Sequence, residues 1–275
     1  MADDSTSRTL TALFDVFDSV SQLGDALSEA QWKTPTDLPG WTVQDNLSHL
    51  TAFERVLEGD AATTHRATDL SGVKNPIGEM NEHEVDARRG RPGSQVLAEW
   101  HEIVGRRRAT LTSAGDDYFA QPSMTPTGPG TLADFLSIRV LDCWLHEQDM
   151  RRAVGLTGHL GGPAAEHTID RLIRTLPIVV GKRAATPEGA TVVVRITGEV
   201  ERTVVVNVSG GRAAVVPEAP DGSPLAAALT LTTEAFVVLA TGRGGPDHAA
   251  VTGQWSSKGD DALARRIVDR LNMMI

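Results

Sequence analysis

The chain has 275 residues, enough for two domains, and its 40% hydrophobic and 23% charged residues describe a globular protein able to bury a core. A formal net charge of −10 argues against a nucleic-acid or anionic-membrane surface, because binding phosphate needs a basic field. Cys143 is the only cysteine, so an intrachain disulfide is impossible and a reducing cytoplasm is the expected setting.

The opening residues, MADDSTSRTL, are acidic and polar where a signal peptide would be basic and then apolar, so none is expected. Leu10, Leu13, Phe14, Phe17, Val20, Leu23 and Leu27 recur at helical spacing and predict a first helix. A loop with Pro35 and Pro39 leads to Thr42, which reads as an N-cap answered by Asp45 three residues later. The second helix then carries Leu47, His49, Leu50, Phe53, Val56 and Leu57. Gly59 to Arg91 reads as a polar loop, with a short helix over EMNEHEVDARR. Pro92 and Ser94 launch a third long helix through Val96, Leu97, Trp100, Val104 and Leu111. The turn-rich PSMTPTGPG precedes a fourth, capped near Thr131 and ended by Gly155. Four long helices with these connections predict a four-helix bundle over residues 1–158.

From residue 159 the periodicity changes, and the remainder to 275 reads as a smaller α+β domain. A bridging helix is expected from Pro163 to Leu176. TVVVRITG and RTVVVNVSGG, separated by Gly198-Glu199, predict a hairpin, and Arg212 to Val216 a third strand. LAAALTLTTEAFVVLATGR reads as a strand running into a helix that ends at Gly242. A strand near Ala249 to Thr252 and a final helix from Asp260 to Met274 complete it. No run approaches the ~20 apolar residues that span a bilayer.

Three residues far apart could form one metal site. Asp142 and His146, four apart on the fourth helix, project from one face a single turn from each other. His49 comes from the second helix. Two imidazoles and a carboxylate suit a zinc-like ion and leave a coordination position open, as catalytic sites do. The same residues admit a plainer arrangement, with His49 and His146 as satisfied core histidines and Asp142 paired with Arg139. The HE pair at 146 and 147 is no HExxH signature, since position 150 is Met150, and Glu147 faces away from its neighbour. Cys143 sits about 100° round the helix from Asp142 and reads as buried filler. Trp41 reads as a packing residue that fixes the turn, and His65, His83 and His101 as surface residues.

The segment PTDLPGWTVQDNLSHLTAFERVLEG resembles the PGWTVRDVVAHLA-type motif of the mycothiol-dependent maleylpyruvate isomerase family, within the DinB-like bundle superfamily. VLDCWLHEQDMRRAVG is similar to that family's second signature, and LTTEAFVVLATGR with VTGQWSSKGDDALARRIVDRL resembles its sterol-carrier-protein-like domain. The resemblance implies an α+β chain: a DinB-like four-helix bundle followed by a smaller α/β sandwich. It implies His49, Asp142 and His146 as metal ligands, zinc as the metal and mycothiol as the thiol cosubstrate. Asp142 stands where the isomerase has Glu, a carboxylate one methylene longer. Asp149 is implied beside the metal, orienting the thiol or relaying a proton; its alternative is a helix-surface salt bridge with Arg152. A C-terminal-domain arginine is implied near the site, for which Arg202 and Arg212 are both candidates; Arg243 matches a family motif but also suits a helix cap.

The expectation is a cytoplasmic enzyme, monomer or homodimer, that uses a metal-bound thiolate to attack a small-molecule electrophile, by isomerisation or S-transfer. A metal-dependent hydrolase and a non-catalytic ligand-binding relative remain open, and no nucleic-acid or membrane partner is expected.

Overall fold

The computed structural model describes residues 4–274 and divides into two compact units, residues 1–159 and 160–275. In the first, four long helices form a ring: α1 (Asp4–Asp25), α3 (Val43–Leu57), α5 (Gly93–Ser113) and α7 (Leu132–Val154). Helix α1 packs on α7 and α5, and α3 packs on α5 and α7, so the bundle closes. The centre is filled by Leu13, Phe17, Leu47, Leu50, Trp100, Ile103, Val140 and Trp144, all at zero exposure. Four such apolar stripes cannot be buried singly, and the bundle is the arrangement that buries them together.

The helix boundaries follow from local chemistry. Thr42 and Asp45 form a reciprocal capping box at the start of α3, through 2.8 and 3.3 Å hydrogen bonds. Thr131 and Asp134 do the same for α7, and Gly155 ends it in the left-handed conformation at φ 67°. Each such N-cap contributes about 1 kcal/mol. The capping at 42 and 131 and the stop at 155 are those expected from the sequence.

The connections hold more structure than the sequence suggested. Glu29–Trp32 forms a short helix, α2, inside the expected loop, and Asp116–Phe119 another, α6. The Gly59–Arg91 segment contains a 14-residue helix, α4 (Pro76–Arg89), with Asn75 bonding Gly78 N and Pro76 in the first turn. It packs on α3 and so covers the helix that carries His49. The turn-rich stretch before α7 pairs as a small hairpin of β1 (Pro122–Thr125) and β2 (Gly128–Thr131).

The second unit contains a five-stranded mixed sheet. Helix α8 (Pro163–Ile173) is shorter than expected, and a π-helical turn, Ile178–Arg183, follows it past Pro177. Strands β3 (Thr191–Thr197) and β4 (Arg202–Ser209) form the expected antiparallel pair, and β5 (Arg212–Val216) adds to the edge. Strand β6 (Leu225–Thr232) returns parallel to β3 and runs into α9 (Thr233–Ala240). The expected strand at Ala249 to Thr252 is a turn; the strand is β7 (Trp255–Gly259), antiparallel to β6. The order is β5-β4-β3-β6-β7. Helix α10 (Asp261–Asp269) closes the unit, shorter than expected and capped by the Asp260 side chain on Leu263 N. Val192, Val194 and Ile196 of β3, at most 1% exposed, share the core with Leu229, Leu231, Phe236, Leu263 and Ile267. Among the described residues no helix is long and apolar enough to cross a membrane.

Candidate metal centre

Helices α3 and α7, which pack against each other, bring His49, Asp142 and His146 together. His49 Nε2 lies 3.2 Å from Asp142 Oδ2, and His146 Nε2 lies 3.5 Å from Asp142 Oδ1. One ligand atom from each residue falls within 4.8 Å of the others. Donors bound at about 2.0–2.1 Å to one tetrahedral ion stand about 3.3 Å apart, so the two spacings to Asp142 suit a zinc-sized cation. The two imidazoles are buried and Asp142 keeps 29% of its side-chain surface, so the carboxylate is the solvent-facing member.

Electrostatics favours the protonation states that a metal needs. Burial pulls the His49 imidazole down to about 4, outweighing the attraction of Asp142, so the ring is neutral at neutral pH. Burial would push the Asp142 carboxyl up, but the Arg139 guanidinium beside it holds it well below the usual carboxylate range. The Arg139–Asp142 pair therefore forms together with the imidazole cluster, so the two readings of Asp142 coexist. Arg139 is anchored in turn by a 2.9 Å bond from Nε to Glu54 Oε1 on α3.

Aromatic rings enclose the imidazoles. Trp41 stacks on His146 with centroids 5.8 Å apart and tilts over His49 at 5.4 Å, while its Nε1 donates to Glu82 Oε2 of α4 at 3.0 Å. Phe53, one turn after His49, meets that ring edge-on at 5.2 Å. Trp41 thus forms part of the site wall as well as packing the turn.

Asp149 is fully buried, with Oδ1 accepting from Arg152 Nη2 at 2.5 Å and Oδ2 lying 3.7 Å from His146 Nδ1. The alternative ion pair with Arg152 is formed, and it is a buried one, extended to Asp37 through Arg152 Nε at 2.7 Å. Glu147, fully buried, bonds Ser19, Arg151 and His159 and takes no part in the cluster. Burial pushes the Cys143 thiol up, consistent with filler and not a nucleophile. His65 and His101 pair with Asp86 and Asp25 near the surface, whereas His83, only 14% exposed, accepts from Ala67 N at 3.2 Å. In the second unit, Arg202 is held by Asp170 at 2.8 Å and by Glu166, and Arg212 is exposed at the start of β5.

Sequence reasoning passed over Asn46 and Glu54. Asn46 is fully buried and its Oδ1 lies 2.6 Å from His146 Nδ1; Glu54, also fully buried, takes Arg139 and Arg107. Asn46 was detectable as a polar residue three positions before His49 on the same helix face. Glu54 interrupts an apolar helix, which signals a buried partner only once that partner is known.

Two family models match the chain in order. The mycothiol maleylpyruvate isomerase N-terminal domain covers residues 13–151, and the C-terminal domain of the same family covers residues 166–266. Two uncharacterized proteins from two strains of Mycobacterium tuberculosis are each 24% identical over 145 residues, 50% of this chain and 53% of theirs. The chain spans about half the length of the curated relatives it matches. Among solved structures, that of a mycothiol-dependent maleylpyruvate isomerase superimposes with a TM-score of 0.55 at 18% identity, covering 87% of this chain and 90% of the other. A histidine-to-alanine mutant of such an isomerase gives 0.57 at 16%, covering 92% of each chain. These likenesses show the fold, a helical region followed by a small sheet-containing domain. With both of the family's domains matched in sequence, the chain belongs to the mycothiol maleylpyruvate isomerase family.

Proposed function

We propose that this protein is a metal-dependent, thiol-using enzyme, in which His49, Asp142 and His146 hold one divalent cation, zinc by its donor set, and mycothiol is the cosubstrate. The observation that carries the reading is the convergence of two buried imidazoles and one carboxylate around a single point, in a chain that carries both domains of this family. Bound there, the cation would supply Lewis acidity, lowering the pKa of a thiol so that it reacts as thiolate at neutral pH.

The protein's own residues do the rest. Burial keeps His49 neutral and able to donate a lone pair. Asp142, ionised beside Arg139, gives the site its anionic member. Trp41 and Phe53 shield the imidazoles from water, which strengthens electrostatic interactions within the site. Asp149, paired with Arg152 and set 3.7 Å from His146 Nδ1, acts through that ring as a fixed negative charge behind the proposed ligand. The substrate is a small electrophile, attacked at carbon by the thiolate sulfur. Addition to an activated carbon–carbon double bond breaks its π bond and gives an enolate. Rotation and expulsion of the same thiolate give cis–trans isomerisation, whereas protonation of the enolate, or departure of halide from an aryl halide, leaves an S-conjugate.

The test is turnover of maleylpyruvate and of a simple aryl halide by zinc-loaded protein, with and without mycothiol. Thiol-dependent consumption of either supports the reading. Thiol-independent hydrolysis, or zinc binding with no turnover of either electrophile, contradicts it.

A further inference from the structure

The side-chain amide of Asn46 can be oriented from its own surroundings. One of its heteroatoms lies 2.9 Å from the carbonyl oxygen of Thr42 and 3.3 Å from Thr36 Oγ1. The Thr42 carbonyl can only accept. The Thr36 hydroxyl gives its proton to the Trp41 carbonyl at 2.9 Å, so toward Asn46 it too can only accept. A heteroatom flanked by two acceptors is the amide nitrogen, and Oδ1 is therefore the atom turned toward α7.

That oxygen lies 2.6 Å from His146 Nδ1. It carries no hydrogen, so Nδ1 must supply one. Asp149 Oδ2 is 3.7 Å from the same nitrogen, beyond hydrogen-bond reach, and adds charge without competing for the proton. With the proton on Nδ1, the lone pair of the neutral ring sits on Nε2. That nitrogen faces Asp142 Oδ1 at 3.5 Å, two acceptors side by side, which a shared cation stabilises.

We infer that Asn46 is a positioning residue that fixes the Nδ1–H tautomer of His146 and so presents Nε2 as a ligand, an inference that rests on the metal-site reading above. A single helix, α3, then supplies both His49 and the group that orients the ligand contributed by α7. Such outer partners set ring orientation and ligand basicity, and losing one typically costs about 10–100-fold in metal affinity.

The experiment uses full-length, metal-free protein with 15N-labelled histidine, and long-range 1H–15N spectra at neutral pH. The expected result is His146 as the Nδ1–H tautomer. Asn46→Leu, close in shape but without an acceptor, should shift the ring toward Nε2–H and weaken zinc binding by about 10–100-fold. The Thr42 carbonyl keeps its 3.1 Å bond from the backbone N–H of residue 46 in that variant, so no backbone group is orphaned. Asn46→Asp retains an acceptor at Nδ1 and should keep zinc affinity within a few-fold of wild type. A purely structural role would lower the thermal stability of both variants without separating their zinc affinities. A wild-type His146 whose Nδ1 carries no proton would overturn the inference, as would undiminished zinc affinity in Asn46→Leu. Wild-type protein that takes up no zinc counts against the metal-site reading instead, and the tautomer spectra, needing no metal, still decide the role of Asn46.

Discussion

The Arg139 guanidinium donates to Asp142 Oδ2, the same oxygen that faces His49 Nε2 at 3.2 Å. Arg139 also lies over the Phe53 ring, 4.7 Å from its centroid, and is tied to Glu54. A line of alternating charge thus runs Glu58, Arg107, Glu54, Arg139, Asp142 across α5, α3 and α7. Buried ion pairs contribute little net stability compared with apolar packing, yet breaking one from a single side is costly. Their effect here is to set how α7 presents Asp142 to α3.

The first prediction concerns this line. Arg139→Met leaves the fully buried Glu54 with Arg107 alone and removes the cation beside Asp142. The expected loss is about 3–5 kcal/mol, read by urea denaturation. A loss below about 1 kcal/mol would show that the charges are solvated or rearranged, and that the line does not hold the helices.

A second prediction separates donor identity from donor reach. Asp142→Ala removes the carboxylate from the cluster and should weaken zinc binding by more than the ~10–100-fold seen for outer partners. Asp142→Glu keeps the charge and adds one methylene beside Arg139, and should stay within about tenfold of wild type by calorimetry. Equal zinc affinity in Asp142→Ala and wild type would remove Asp142 from the ligand set.

Trp41 offers an optical readout. Its ring lies 5.4 and 5.8 Å from the two imidazole centroids, close enough for a paramagnetic ion at the site to quench it. Cobalt titration should quench tryptophan fluorescence in the wild type, and Trp41→Phe should remove the greater part of that change. Quenching of equal size in the variant would place the cobalt elsewhere.

His159 gives a pH signature from an ion pair outside the His49–Asp142–His146 cluster. Its Nδ1 faces Glu147 Oε2 at 2.6 Å and its Nε2 faces Asp15 Oδ2 at 3.0 Å, with Arg151 and Ser19 on the other Glu147 oxygen. Burial opposes the charge on the ring, but the two carboxylates prevail and raise its pKa. A raised pKa contributes stability that is fully present below the unfolded value of about 6.5 and is lost as pH rises through the folded one. The stability advantage of wild type over His159→Gln should therefore shrink from about pH 6 upward through the folded pKa. A difference that does not change with pH would mean that folding leaves the His159 pKa unshifted.

The long helices were legible because capping and periodicity are local. Thr42 with Asp45, Thr131 with Asp134, and Gly155 each act within a few residues, so their signals survive in sequence. The cluster of His49, Asp142 and His146 was legible in half. The Asp142–His146 spacing shows on one helix, whereas His49 joins it only through the packing of α3 on α7. Asn46 left only the trace of its place on the His49 face, and Glu54 none, because the partners that define them are 100 and 85 positions away, on α7. The misplaced strand at Ala249 to Thr252 has a local cause. The backbone there folds into turns, with Val251 N and Thr252 N bonding the His248 carbonyl at 2.8 and 2.9 Å, so its apolar residues cannot join the sheet.

The central claim is that His49, Asp142 and His146 hold one metal ion, and elemental analysis tests it most directly. Protein reconstituted with zinc, freed of excess metal and measured by plasma emission, should carry about one ion per chain. His49→Ala and His146→Ala, each checked for folding by circular dichroism, should carry close to none. Full zinc occupancy in both variants would contradict the site.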